Sequence, residues 1–209
     1  DGTYTISSGD DGIHADSALL VNGGTITVTE SYEGLEGLNI TINDGKIDIA
    51  ASDDGMNAAG GNDQSGFGGM GGDGFKGMQA PDAAQKSDST SDTAQDTDAA
   101  SEDEMWMVIN GGYVHVLAGG DGLDSNGDLT INCGEVYVDG PSDNGNSAID
   151  YGEKSSFYIN GGTVVAVGSS GMAEDVSSES KQQAAFVKLD SQADAGDVIL
   201  KDADGNEII

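Results

Sequence analysis

The stretch "LLVNGGTITVTESYEGLEGLNITINDGKIDIAASDDG", residues 19–55, decides the fold because it states one pattern twice. An apolar run ends in Asn-Gly-Gly at Asn22 and in Asn-Asp-Gly at Asn43. A strictly alternating run follows, "TITVT" at 25–29 and "KIDIA" at 46–50. Each run then reaches an acid–glycine pair, Glu33-Gly34 and Asp54-Gly55. Alternation with a period of two marks a strand with one buried face. Glycine beside asparagine or an acid marks a tight turn between runs.

Outward from that stretch the pattern continues. "MVINGG", "LTINCG" and "FYINGG" place further asparagines at 110, 132 and 160. Asn22 to Asn43 is 21 residues and Asn110 to Asn132 is 22. Asn132 to Asn160 is 28, one period plus a bulge near Pro141 to Gly145. Asn43 to Asn110 is 67, one period plus a long insertion. The alternating runs recur as "YVHVL" (113–117), "EVYVD" (135–139) and "TVVAV" (163–167). Their expected inward set is Ile26, Val28, Ile47, Ile49, Val114, Val116, Val136, Val138, Val164 and Ala166.

Each period therefore holds three short segments: one carrying the acids, one ending in Asn-Gly-Gly, and one that alternates. A single period cannot bury its own apolar face, but stacked periods can. The expected fold is all-β, a parallel β-helix of about five to six rungs with three strands per rung. An antiparallel barrel or sandwich is the alternative, but hairpin dipeptides do not separate the strands. Residues 1–180 form the expected β-helix domain. Residues 60–104, Gly/Met-rich and then Asp/Ser-rich, read as a disordered insertion between the first and second strands of rung three. Residues 181–209 read as two strands closing the stack, since an open end is a row of unpaired edge groups.

The totals narrow the function. The chain has 38 acidic and 7 basic residues, all seven of them lysine, for a net charge of −31. Such a chain attracts cations and will not hold nucleic acid or anionic lipid by its own charge. Its lone cysteine, Cys133, is expected to sit small and tucked in, and it excludes an internal disulfide. No run of 18 apolar residues offers a membrane span. The opening "DGTYTISSGD" reads as the end of a repeat, so the chain is expected to be a piece of a longer one.

Stacking gives the acids a meaning. Equivalent residues of neighbouring rungs lie about 4.8 Å apart. Alignment yields one column of Asp11, Glu33, Asp54, Asp121 and Ser147, and a second of His14, Glu36, Asn57, Asp124 and Asp150. Asp10 and Asp53 stand beside them. Like charges so placed repel, unless a cation shares them. Calcium takes six to eight oxygens at about 2.3–2.6 Å, so an ion midway between rungs reaches oxygens on both. The expected ligands are Asp11, Glu33, Asp53, Asp54, Asp121 and Asp124, with Glu36, Asn57 and Asp150 as further members. The competing reading is a set of solvated turn acids. The Asn-Gly-Gly asparagines are expected to form a structural ladder of side-chain amides. Ile13, Leu35, Met56, Leu123, Ile149 and Met172 are expected to fill one inward column.

The strings "DDGIHAD", "SYEGLEGLNITINDGKIDIAASDDGMNAA", "INGGYVHVLAGGDGLDSNGDLTINCGEVYVDGP", "GNSAIDYGE" and "INGGTVVAVGSSGMA" resemble a family of secreted bacterial carbohydrate-binding domains. That family is a right-handed parallel β-helix, similar in fold to pectate lyases. The resemblance covers nearly the whole chain. It implies right-handedness, calcium, a secreted or cell-surface location, and binding of cellulose or pectic polysaccharide such as polygalacturonate. A monomer within a larger secreted chain is the expected state.

Binding is favoured over catalysis. Lyase chemistry next to a uronate needs a strong base, usually arginine, and the chain has none. A hydrolase needs a carboxyl of raised pKa, and acids held by calcium have lowered ones. A calcium-stiffened spacer or adhesin stalk is the remaining alternative. For a sugar, the outward face of the alternating strands is the candidate surface. Its two columns are Thr25, Lys46, Tyr113, Glu135, Thr163 and Thr27, Asp48, His115, Tyr137, Val165. Lys46, Tyr113, His115 and Tyr137 are the expected contact residues, with Tyr151 and Trp106 secondary.

Overall fold

The computed structural model describes residues 2–59, 105–193, 196 and 199–207. The insertion expected at 60–104 lies outside the described residues, between β4 (Met56–Ala58) and β5 (Trp106–Ile109). The fold is all-β, without a helix among the described residues, and every pairing between its strands is parallel. Parallel pairing at a spacing of one period excludes the antiparallel alternative.

Three ladders organise the chain. The first stacks the starts of β2 (Ile13–Glu30) and β3 (Leu35–Ala51), then β4, β7 (Leu123–Ser125) and β10 (Ile149–Tyr151). The second stacks the middles of β2 and β3 on β5, β8 (Asp128–Ile131) and β11 (Phe157–Ile159). The third stacks β1 (Thr3–Ser7), the ends of β2 and β3, β6 (Tyr113–Ala118), β9 (Glu135–Asp139) and β12 (Thr163–Val167). One apolar core is shared by all three. It holds Leu35, Met56 and Leu123 from the first, Ile40, Met107 and Leu129 from the second, and Ile47, Val114 and Val136 from the third. None of these nine exposes any surface. Alternation puts them inward, and parallel strands of matched register put like on like.

Between the second and third ladders runs the asparagine ladder. The Asn43 amide donates to the Asn22 side-chain oxygen at 2.8 Å, Asn110 to Asn43 at 2.8 Å, Asn132 to Asn110 at 2.9 Å and Asn160 to Asn132 at 2.9 Å. The second residue of each following pair must be glycine. Gly24, Gly45, Gly112, Gly134 and Gly162 all have φ between 85° and 126°, a region other residues avoid. At the first position Gly23 has φ 141°, but Gly111 and Gly161 have no positive φ, which is why Asp44 and Cys133 are tolerated at that place in other repeats. Cys133 is exposed, not tucked in, because that first position faces solvent. Asn110→Ala removes two ladder bonds. Its expected cost is about 1–2 kcal/mol, against about half that for Asn22→Ala at the end. Urea denaturation of both variants checks the difference.

The far end differs from expectation. No strand forms among the described residues of 181–209, only an antiparallel bridge between Lys201 and Glu207. Covering falls instead to an irregular strip. The Ser177 and Gln182 amides donate to the Phe157 and Ile159 carbonyls, and the Ser180 hydroxyl accepts from the Ile159 amide. These bonds satisfy the edge of β11, so no strand is required there. The outermost turn is correspondingly open. Ala166 and Met172 are exposed and Val164 is half-buried, since no further strand among the described residues packs on them.

Candidate functional site

The acidic turns lie one above another, as the period requires. Strand pairing aligns His14 with Glu36, Glu36 with Asn57, Asn57 with Asp124 and Asp124 with Asp150. In the other column the amides of Gly12, Gly34, Gly55 and Gly122 donate to the carbonyls of Glu33, Asp54, Asp121 and Ser147 at 2.9–3.1 Å. Each acid–glycine turn is thereby hung from the next. The glycines are needed for that approach, not for an unusual backbone angle, since none of these four has positive φ. A Cβ on Gly12 would stand 2.6 Å from the Gly34 carbonyl oxygen, and one on Gly55 2.6 Å from that of Gly122.

The carboxylates of the middle turns lie close enough to repel one another. Asp54 accepts the Asp121 amide at 2.7 Å, and Asp121 accepts the Ser147 amide. Burial pushes Asp124 up to about 8, and Asp54, Asp150, Asp121 and Glu33 add to the rise by repulsion. Asp54 is pushed up to about 7 by burial first, with Asp53, Asp121 and Glu33 contributing. Burial raises Asp121 and Asp150 as well. Glu33 and Glu36 are almost wholly buried. Asn57 is buried too, and its Oδ1 meets no hydrogen-bond donor among the described residues. Buried carboxylates raised by one another, beside an unsatisfied carboxamide oxygen, are a hard-oxygen set of the kind that suits calcium.

Three expected ligands are engaged differently. Asp53 stands beside the Tyr32 phenol, and its carboxylate raises Tyr32 to about 12. Tyr32 carries no metal signal in the sequence and was found only through this contact. At the first turn, Glu36 and Asp11 both meet His14. The His14 Nδ1 bonds a Glu36 carboxylate oxygen and lies 3.4 Å from Asp11 Oδ2, while Nε2 lies 3.3 Å from Asp16. Burial alone would lower His14, but these carboxylates raise it to about 9. Burial raises Glu36 to about 7.

A second feature lies on the outer face of the third ladder. Lys46 pairs with Tyr113, Tyr113 with Glu135 and Glu135 with Thr163; Asp48, His115, Tyr137 and Val165 pair likewise. Both expected columns are therefore present. The Tyr113 and Tyr137 rings lie 5.7 Å apart at 42°. Lys46 Nζ stands 5.6 Å from the Tyr113 ring centre and 3.5 Å from Asp48. His115 sits between two acids, with Nδ1 3.4 Å from Asp48 and Nε2 3.4 Å from Asp139. Tyr113, His115, Tyr137, Asp139 and Val165 line an open groove. Asp139 was not among the expected contacts, although its place two residues after Tyr137 puts it on the same face. Trp106 faces outward on the second ladder, paired with Asn39 and Asp128, away from this groove. Tyr151 donates to the Asp175 carbonyl at 2.9 Å, so its hydroxyl holds the chain rather than a ligand.

Rigid aromatic rings beside hydrogen-bonding groups are the surface a sugar face requires. A family model described as "Carbohydrate-binding domain-containing protein" matches residues 1–145. The chain belongs to that family. No curated protein and no solved structure matches it. In this carbohydrate-binding domain the matched residues include Tyr113, His115, Tyr137 and Asp139, and all of the acids up to Asp124. Asp150 lies past them. Among the described residues no helix is long and apolar enough to cross a membrane.

Proposed function

We propose that the chain is a non-catalytic, calcium-dependent polysaccharide-binding domain, secreted or held at a bacterial cell surface. On this reading the three ladders are the faces of a right-handed parallel β-helix, and the ligand is a plant cell-wall polysaccharide, cellulose or polygalacturonate. The observation that carries it is the Tyr113–Tyr137 pair, fixed on adjacent strands of a stiff sheet in an open groove, in a chain of the carbohydrate-binding family. Strands that do not move on binding lose little entropy there. Tyr113 and Tyr137 offer ring faces, His115 and Asp139 offer hydrogen bonds, and Lys46 offers a charge to a uronate.

Asp54, Asp121, Asp124 and Asp150, with Glu33 and Asn57, would hold the calcium. When bound, it supplies positive charge that offsets their repulsion and locks neighbouring turns in register. The groove is bordered by Asp48, Glu135 and Asp139, so an acidic glycan is repelled unless a divalent ion bridges carboxylates.

Affinity gel electrophoresis in soluble glycans and pull-down on cellulose test the reading. Replacing both tyrosines, Tyr113→Ala with Tyr137→Ala, is expected to weaken binding at least about tenfold, equivalent to about 1.4 kcal/mol. The circular dichroism should not change. Unaltered affinity would move the sugar site elsewhere. Chelation is expected to abolish binding to polygalacturonate and, under conditions where the fold survives, to spare cellulose.

A further inference from the structure

We propose that Asp11, His14 and Glu36 form a separate site for a first-row transition dication of the zinc and cobalt class, at the first turn of the acidic columns. Their ligand atoms, one nitrogen and two carboxylate oxygens, all lie within 4.8 Å of one another. One ring nitrogen, His14 Nδ1, faces both carboxylates, so a metal would take the place of the proton shared there. The opposite nitrogen, Nε2, faces Asp16 at 3.3 Å. A carboxylate on the far side of a histidine fixes its ring and strengthens it as a ligand, the usual outer partner of a metal-bound imidazole.

Burial gives the set its shape. The Asp11 and Glu36 side chains are 8% and 3% exposed, whereas His14 is 28% exposed. The carboxylates thus form a closed inner wall and the imidazole a partly open outer one, leaving positions for water. Asn57 pairs in register with Glu36 on the side away from His14, so its buried Oδ1 belongs with the turns farther along and is no ligand of this set.

The chemistry of the donors chooses the ion. Two carboxylates neutralise a dication, and imidazole nitrogen prefers zinc, cobalt, nickel or iron to calcium. The all-oxygen turns farther along have no such donor. The site is therefore selective against the ion proposed for those turns, and it stands whether or not they take calcium.

The chain has two histidines, which makes the test direct. Cobalt(II) is added to the whole protein in a large excess of calcium, and the imidazole resonances are followed by NMR. Cobalt is expected to shift and broaden the His14 ring signals at one equivalent and to leave those of His115 unchanged. Zinc is expected to move the His14 Nδ1 signal and to displace cobalt. His14→Gln should abolish cobalt uptake while calcium uptake, read by calorimetry, stays the same. Cobalt that excess calcium removes, or that broadens both histidines alike, or that binds His14→Gln as well as the parent, overturns the assignment.

Discussion

In chelator, the protein is expected to lose stability as the pH rises from about 4 to about 8. Asp54 and Asp124 have folded pKa values near 7 and 8, against ordinary values of 3.8. A carboxyl whose pKa is higher in the folded state binds its proton more tightly there. Its contribution is complete below the unfolded pKa and is lost as the pH climbs through the folded one. Asp121 and Asp150 act in the same direction. So does His14, raised to about 9, whose share is lost at the upper end. Because the acids share one repulsion, their contributions do not add. A combined loss on the order of 5 kcal/mol is expected, which is about 10–20 °C in Tm for a chain of this size.

Saturating calcium should reverse the slope, because the ionised carboxylates are then the favoured form. Thermal denaturation at pH 4, 6 and 8, with calcium and with EGTA, measures both curves. Asp124→Asn is the diagnostic variant. It should raise Tm in EGTA at pH 8, by removing a buried charge, and shrink the gain from calcium. A melting temperature in EGTA that is flat or rising from pH 4 to 8 would falsify the account of this column.

The second large effect concerns the glycines. Gly55→Ala is expected to cost more than about 3 kcal/mol, or roughly 6–12 °C. The added methyl would meet the Val116 side chain on one side and the Gly122 carbonyl oxygen at 2.6 Å on the other. A side chain can change rotamer, but the carbonyl belongs to the next turn and moves only if the turns part. Parting them breaks the hydrogen bonds that the Gly55 and Met56 amides donate to the Asp121 and Gly122 carbonyls. Gly9→Ala is the control. Nothing lies within 4 Å of its Cβ position, and the expected change is within about 0.5 kcal/mol. Equal unfolding midpoints in urea for the two variants would contradict close backbone stacking at the acidic turns.

How far the site was legible depends on which atoms set it. The alternating runs gave Val114, Val116, Val136 and Val138 their inward places, and the structure buries all four. The same period set the Lys46–Tyr113 and His115–Tyr137 pairings. Asp53 shows where legibility stops. Its backbone place beside Asp54 was plain, yet its carboxylate is taken by Tyr32, a residue 21 positions earlier whose ring direction no local pattern sets. Glu36 is the same case, drawn toward His14 across a strand pair. The end of the chain failed differently. The turn signals in residues 184–209 are real, but a strand also needs an edge to pair with. Residues 177–182 already occupy that of β11.

The sequence by itself determined the period, the buried face of each run and the register in which turns stack. Those are local properties: side chains alternate along any strand, and only glycine takes the left-handed turn after each asparagine. The tertiary structure alone decided which carboxylates share a burial, which one a histidine or a phenol claims, and how high their pKa values stand. Those depend on distances between residues some twenty or more positions apart in the chain, and on water excluded by all three ladders together.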